Sequence, residues 1–520
     1  MPSVIAVAFV ALGSIYSFLW ILLHFTQNGE EPPVVGSAIP FLGPLVGMIR
    51  QKSRFYIGLR DKYSLPIYTL RLPFTRVYVI NATELIPAMQ KHWRTLSFAA
   101  LTAKAGVVVG MSKQSTDIMH KDLTRDDSFS LSWVPLITPT MAPGRALDSM
   151  NRKSVEVLAA DIEKLRSQAQ AGTTTVGLWE WTRKAVLMAT TDAVYGPQNP
   201  YRDAAVEAAW RTFEPGFLTL NLSPLPDYFA PSILRARELL AAAMTEYMYK
   251  GGWKSASELV KARHDHHVNR FGFSLEDIAR GEIGNMFAVV GNTVPCAWWL
   301  LYHVFSDPKV LADVRSEVST MVQESSDDGI CSIDLASIRT ACPILLSTYE
   351  EMLRYRAVSA SVRMVLEDVM LDGRFLLKKG GMVILPTTVQ HTAVPEWGEN
   401  VGEFDHMRFV RTPGKKRPSR LAFRAFGGGH VLCPGRHFAS TEIMAVAALM
   451  VLQFDVAPVG GKWVDPKWDN SPVMAGFPVP DEDIRVEIRP RDGKKWRVTY
   501  SESGKGIEIV EEDMAAAEES

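Results

Sequence analysis

A mainly α-helical protein with small β-sheets, preceded by one N-terminal transmembrane helix, is the fold class this sequence predicts. Three observations predict it. Pro2 to Phe25 contains no Asp, Glu, Lys or Arg, and about twenty such residues are what a helix needs to cross a hydrocarbon core. From about Arg145 to Glu324 apolar residues recur at helical spacing, and only short runs elsewhere alternate as strands do. The composition, 47% hydrophobic and 22% charged over 520 residues, is that of a globular chain. It excludes collagen-like, disordered and disulfide-framework classes. Fifty-six basic residues against fifty-seven acidic ones leave a net charge of −1, so no global field points to nucleic acid. The four cysteines, Cys296, Cys331, Cys342 and Cys433, show no repeated spacing and fit a reducing compartment.

Residues 1–27 read as an uncleaved anchor, because the apolar run is too long for a secretory signal and lacks a basic start. Glu30 and Glu31 follow it, then Arg50, Lys52 and Arg54, which puts the body of the protein in the cytosol by the positive-inside rule. Residues 28–55 carry Pro32, Pro33, Gly36, Pro40, Gly43 and Pro44 and read as a stiff linker. Pro66–Leu72 and Arg76–Ile80 alternate around Pro73-Phe74-Thr75 and predict a hairpin. Helices are expected over Leu147–Gln170, Gly177–Val194, Ile233–Tyr249 and Leu275–Phe305, and strands return in Val362–Leu385. No second linker interrupts residues 56–500, so they form one large domain, and 501–520 is an acidic tail. The run Arg263-His264-Asp265-His266-His267 invites a metal reading. Adjacent histidines on a helix project in different directions, so a solvated loop or helix end is the expectation.

The most informative segment is Phe426-Gly427-Gly428-Gly429-His430-Val431-Leu432-Cys433-Pro434-Gly435-Arg436-His437-Phe438. A lone cysteine follows a glycine-rich turn and precedes a proline that favours the first turn of a helix. Cys433 is therefore expected at the N-cap, where free N–H groups and the positive end of the helix dipole stabilise a thiolate. A phosphate cradle would need a Gly-Lys-Ser/Thr sequence that is absent here.

This loop resembles the cysteine loop of the cytochrome P-450 superfamily, on the pattern Phe-x-x-Gly-x-x-x-Cys-x-Gly. The resemblance implies that Cys433 is the axial thiolate of a haem iron. Phe426, Gly429 and Gly435 are then part of the cofactor-binding loop. With no Cys-x-x-Cys-His motif the haem is non-covalent haem b, an iron protoporphyrin IX. Many members carry Arg two residues before the cysteine, where this chain has Val431; His430 is expected to substitute as a propionate donor. Glu351 and Arg354 match the family's Glu-x-x-Arg, and Arg408 in Phe404–Phe409 matches the third member of its structural ion network. Arg363, with His391 beside it, is the expected propionate contact.

The Leu275–Phe305 helix carries Gly291-Asn292-Thr293-Val294-Pro295 at its midpoint. Pro295 has no N–H to give to the Gly291 carbonyl, so a local kink with free polar groups is predicted. Typical members have an acid followed by Thr here to deliver protons; this chain has Gly291 and Asn292, then Thr293, as candidate catalytic positions. That arrangement, with Cys-Pro-Gly-Arg-x-Phe-Ala, resembles the sterol and bile-acid hydroxylase and prostacyclin synthase branch. The resemblance implies an endoplasmic-reticulum, single-pass enzyme with a cytosolic catalytic domain. Its reaction would be monooxygenation of an apolar, polycyclic steroid- or terpenoid-like substrate, with O2 and electrons from NADPH through a cytochrome P-450 reductase. The alternative is an isomerase or dehydratase that acts on a peroxide without external electrons. Lys415, Lys416, Arg417, Arg420, Arg424 and Arg436 are the expected basic face for the reductase. Pocket specificity is expected in Leu101–Leu136 and Trp210–Ile233.

Overall fold

The computed structural model describes residues 2–36, 39–169, 172–223, 225–327, 329–414, 418–472 and 475–502. The expected tail beyond Glu502 and the basic run Lys415–Arg417 lie outside the described residues. Helix α1 (Pro2–Thr26) stands apart from the body, with Phe9, Val10, Leu12 and Phe18 all exposed. Its Ala6–Thr26 stretch is long and apolar enough to cross a membrane. The end of this helix is held by the hairpin β1 (Ile67–Leu72) and β2 (Thr75–Ile80), as the alternating pattern predicted. Arg71 Nη1 and Arg76 Nη2 donate to the Thr26 carbonyl at 3.1 and 2.7 Å, where cations suit a helix C-terminus. Buried Glu31 balances them, pairing with Arg76 at 3.0 Å and accepting from the Tyr78 hydroxyl at 2.7 Å.

Both hairpin strands are covered on both faces, which is why their polar positions are few. Ile67, Tyr78 and Ile80 enter one apolar cluster, while Tyr68, Leu70, Val77 and Val79 enter another. The hairpin belongs to a five-stranded sheet completed by β3 (Leu96–Ser97), β4 (Ala360–Val365) and β5 (Met382–Pro386), in the order β1-β2-β5-β4-β3. The expected linker is partly folded: Leu42–Gln51 and Ser53–Tyr63 are helices.

The main core is a set of helices, α2 (Arg145–Gln168), α3 (Leu178–Tyr195), α6 (Thr293–Ser306) and α8 (Arg436–Gln453), packed on one another. Helix α6 is buried on every side from Thr293 to Phe305, including Trp298 and Trp299. A helix apolar all round belongs in a core. Above it lie α4 (Ala204–Leu222) and α5 (Leu275–Val289), and α7 (Pro343–Arg356) flanks the core. The expected single helix over Leu275–Phe305 is two helices, with Val290–Asn292 as a turn between them. Gly291 and the missing N–H of Pro295 account for the break.

The histidine run corrects its sequence expectation. Arg263, His264, His266 and His267 are all buried, because a π-helical turn over His266–Arg270 brings successive histidines inward. His264 stacks on Trp253, His266 Nε2 meets the Ser132 hydroxyl at 2.9 Å, and Arg263 pairs with buried Glu282. Burial holds His267 down to about 3, so it stays neutral. Among the described residues no cluster of metal-ligating side chains is present.

Glu442 of α8 is buried and accepts from the Ser154 and Thr190 hydroxyls, each at 2.7 Å, tying α8 to α2 and α3. Burial raises its carboxyl from 4.5 to about 7, against the pull of those two hydroxyls. Between these values the unfolded chain releases its proton while the folded one keeps it, so this group makes stability fall as pH rises. The penalty is absent below 4.5 and complete above about 7. Glu442→Gln is expected to raise Tm relative to wild type increasingly from pH 5 to about 7, with no further gain above; thermal unfolding across that range checks it.

Candidate functional site

The cysteine loop is shaped by its glycines. Gly427 and Gly429 adopt φ of 80° and 58°, a region that favours residues without Cβ. A Cβ at Gly427 would stand 2.9 Å from the Val431 carbonyl oxygen, and one at Gly428 would strike the Arg424 guanidinium. The loop closes where Cys433 N donates to the Phe426 carbonyl at 2.9 Å. Helix α8 begins at Arg436 with Gly435 as N-cap, so Cys433 precedes the cap by two residues rather than occupying it. The backbone N–H groups of Gly435 and Arg436 nevertheless reach the sulfur. Burial pushes the Cys433 thiol up, while those N–H groups and the Arg436 charge favour the anion.

Glu351, Arg354 and Arg408 meet in one ion-paired set. Arg354 Nε and Nη2 each donate to a Glu351 oxygen at 2.7 Å, a bidentate pair. Arg408 Nε donates to Glu351 Oε2 at 3.0 Å, and the Asp405 N–H completes the set. All three side chains are buried. Arg354 also donates to the carbonyls of His391, Val401 and Glu403, and Arg408 to those of Trp397, Asn400 and Glu403.

His391 is a link and not a propionate contact. Its Nδ1 meets the Arg354 carbonyl at 3.0 Å and its Nε2 accepts from the Arg424 N–H at 2.8 Å, so both ring nitrogens are spent. Burial first, then the Arg354 and Arg424 charges, holds His391 down to about 3, against the pull of its bond to the Arg354 carbonyl. His430 is exposed and its ring stacks on Trp93 at 4.2 Å. The buried partner beside Arg363 is Arg424 instead, which also corrects the placement of Arg424 on an outer basic face. Of that face Arg420 is exposed, while Arg436 is half-buried with Nη1 on the Cys433 carbonyl at 3.1 Å. Arg424 was missed because nothing in linear spacing tells an inward from an outward arginine.

Arg363 is buried, and burial together with the Arg424 charge holds it down to about 10. Among the described residues no carboxylate faces Arg363; its Nη1 donates to the Val362 carbonyl at 2.8 Å. Two buried cations side by side are costly unless an anion joins them.

On the helix interruption, Thr293 is buried and its hydroxyl donates to the Val289 carbonyl at 3.0 Å, back-bonding across the break. The Asn292 amide lies against Gly476, where a Cβ would come 2.5 Å from Asn292 Oδ1. The segment around Gly476 is fixed by its carbonyl, which accepts from Val358 N, and by Trp299 Nε1 donating to the Pro478 carbonyl. Gly291, Asn292 and Thr293 thus sit together at the opened turn, with the two side chains turned different ways.

Fold and site together present a half-buried cysteine sulfur met by backbone N–H groups and a pair of buried guanidinium groups suited to an anion. Residues 32–486 match the family model for cytochrome P450. The cytochrome P450 monooxygenase nodJ of Hypoxylon pulicicidum is 33% identical over 505 residues, covering 93% of this chain and 96% of the relative. Human prostacyclin synthase is 24% identical, covering 90% and 95%. Rat cytochrome P450 7A1 is 25% identical, covering 91% and 96%. The solved structure of retinoic acid-bound cyanobacterial CYP120A1 superposes with a TM-score of 0.67 at 19% identity, over 88% of this chain and 99% of that one. The chain belongs to the cytochrome P450 family. Membership implies a haem iron cofactor, and the residues fit one: a half-buried sulfur met by backbone N–H groups, and two neighbouring buried guanidinium groups suited to carboxylates.

Two outcomes follow from the network. Arg408→Ala strands part of the Glu351 charge and is expected to cost about 3–5 kcal/mol in chemical unfolding. His391→Phe keeps the shape but removes both bonds, so the Arg424 amide should exchange hydrogen faster than in wild type while the fold persists.

Proposed function

We propose that this protein is a haem-thiolate monooxygenase anchored in the endoplasmic-reticulum membrane by its first helix, with its catalytic domain in the cytosol. Its substrate is an apolar, polycyclic, steroid- or terpenoid-like molecule, and its electrons come from NADPH through a cytochrome P450 reductase. The observation that carries the reading is the half-buried Cys433 sulfur, reached by the N–H groups of Gly435 and Arg436. In this reading Cys433 would ligate the iron, Phe426, Gly429 and Gly435 would shape its loop, and Arg363 and Arg424 would take the carboxylates of haem b. When bound, the haem supplies the activation of dioxygen. The chain's own part is to hold an anionic sulfur, to exclude water with the α6 core, and to order polar groups at Gly291, Asn292 and Thr293. An exposed apolar helix suits a substrate that partitions into lipid. Likeness to a 25-hydroxycholesterol 7-alpha-hydroxylase of Rattus norvegicus supports the polycyclic substrate class.

A second reading, isomerisation or dehydration of a peroxide without external electrons, draws support from the missing acid at Gly291 and the likeness to prostacyclin synthase. Turnover of a peroxide without NADPH or reductase would favour it, and strict dependence on both would remove it.

Reduced membranes carrying the wild-type protein are expected to give a thiolate-type Soret shift with CO, and Cys433→Ala to abolish it. A thiolate-type shift surviving that substitution overturns the ligand assignment. A steroid and terpenoid panel, run with reductase and NADPH, reads the substrate class.

A further inference from the structure

The distal turn has no acid of its own, yet a carboxyl stands beside it. Helix α4 presents Trp210, Phe213, Glu214 and Phe217 at the spacing of one helical face. The three rings pack on Phe287 of α5, with centroids 5.1, 5.8 and 4.6 Å away. Glu214 is the ionisable member of this aromatic face. A Cβ built on Gly291 would lie 3.3 Å from Glu214 Oε1 and 2.8 Å from the Phe287 carbonyl oxygen. The carboxyl therefore occupies the space that a side chain at position 291 would need. Directly after it, Pro215 has no N–H to return to the preceding turn of α4, and Gly216 lets Ile233 pack close.

The groups facing Glu214 come from several elements. Trp210, one turn earlier on α4, donates to it. The nearby cation, Arg183 of α3, is engaged with Glu180 at 3.2 Å and Glu207 at 3.1 Å. Tyr201 is buried with its hydroxyl unbonded, and its phenol is pushed up by burial and by the charges of Glu282 on α5 and Glu214. Desolvation raises Glu214 to about 7, against the weaker pull of Arg183 and Trp210. Near neutrality this group can both hold and release a proton.

We infer that Glu214 supplies from α4 the proton-holding carboxyl that the distal helix lacks at Gly291. The inference rests on the monooxygenase reading proposed above. Hydroxylation consumes one dioxygen, two electrons from NADPH and two protons, giving the alcohol and water. In each proton step the Glu214 carboxylic acid releases its proton toward the opened turn, becomes a carboxylate, and regains a proton from solvent water. The Gly291 carbonyl, to which Pro295 has no N–H to give, offers a water an anchor on that path.

The test uses full-length, haem-loaded protein in lipid vesicles, as wild type, Glu214→Gln and Glu214→Asp, each checked for an unchanged CO spectrum. The first readout is infrared difference spectroscopy of the ferric protein across pH 6 to 8, without reductase. Besides the Glu442 band common to all three proteins, a second carboxylic-acid carbonyl band titrating near 7 is expected in wild type, shifted in Glu214→Asp and absent in Glu214→Gln. The second readout is the share of NADPH-driven dioxygen uptake released as hydrogen peroxide. This share is expected to rise through about pH 7 in wild type, and to be several-fold higher and pH-independent in Glu214→Gln. Absence of a titrating band that Glu214→Gln removes, or a peroxide share and pH profile unaltered in Glu214→Gln, overturns the inference. If the wild type takes up no dioxygen with reductase, the monooxygenase reading itself fails, while the infrared band still reports on the carboxyl.

Discussion

One buried carboxylate facing two guanidinium groups, Glu351 between Arg354 and Arg408, is the constraint on which the cysteine side of this molecule depends. Withdrawing ions from water costs several kcal/mol each, and a carboxylate alone cannot offset two cations. The surplus positive charge is answered by main-chain carbonyls, which both arginines collect from the stretch between His391 and Glu403. Those same bonds wrap that stretch around α7. Order then passes through His391, which joins the Arg354 carbonyl to the Arg424 amide at the head of the cysteine loop. Neutral at every ordinary pH, His391 can donate on one nitrogen and accept on the other without interruption.

The two sides of the site are built on opposite principles. The sulfur side is made of main-chain groups in fixed places: N–H donors at the start of α8, and glycines that let the loop turn tightly. Its arginine pair, Arg363 and Arg424, places like charges together in a buried space, an arrangement stable with an anion between them. The opposite side is made by removing main-chain bonds. Pro295 and Gly291 open one helix into α5 and α6, and Thr293 ties the break through the Val289 carbonyl. Two side chains fill space beside the break, Asn292 turning toward Gly476 and Glu214 arriving from α4.

Legibility in the sequence followed the range of the interactions. Helices α2 and α3 were readable to within two residues, and the hairpin nearly to the residue, because a periodic apolar pattern is a local record of which face is buried. Cys433, Glu351, Arg354 and Arg408 were readable because short motifs carry them. The linker expectation missed the helices at Leu42–Gln51 and Ser53–Tyr63, where proline and glycine at the start masked a helical continuation. The histidine run looked solvated because adjacent positions on an α-helix diverge; a π-turn changes that angle and buries them.

By itself, then, the sequence determined the ligand loop, the broken helix and the ion-paired helix. Each follows from covalent or near-neighbour chemistry: a proline without an N–H, a glycine without a Cβ, a cysteine ahead of a helix start, an acid and a base one turn apart. Only the tertiary structure decided which arginine turns inward beside Arg363, why His391 has no free nitrogen, and that Glu214 fills the place left by Gly291. These depend on residues far apart in the chain meeting in a dry interior. There, packing determines which groups lose water and which partners remain, and linear spacing holds no record of it.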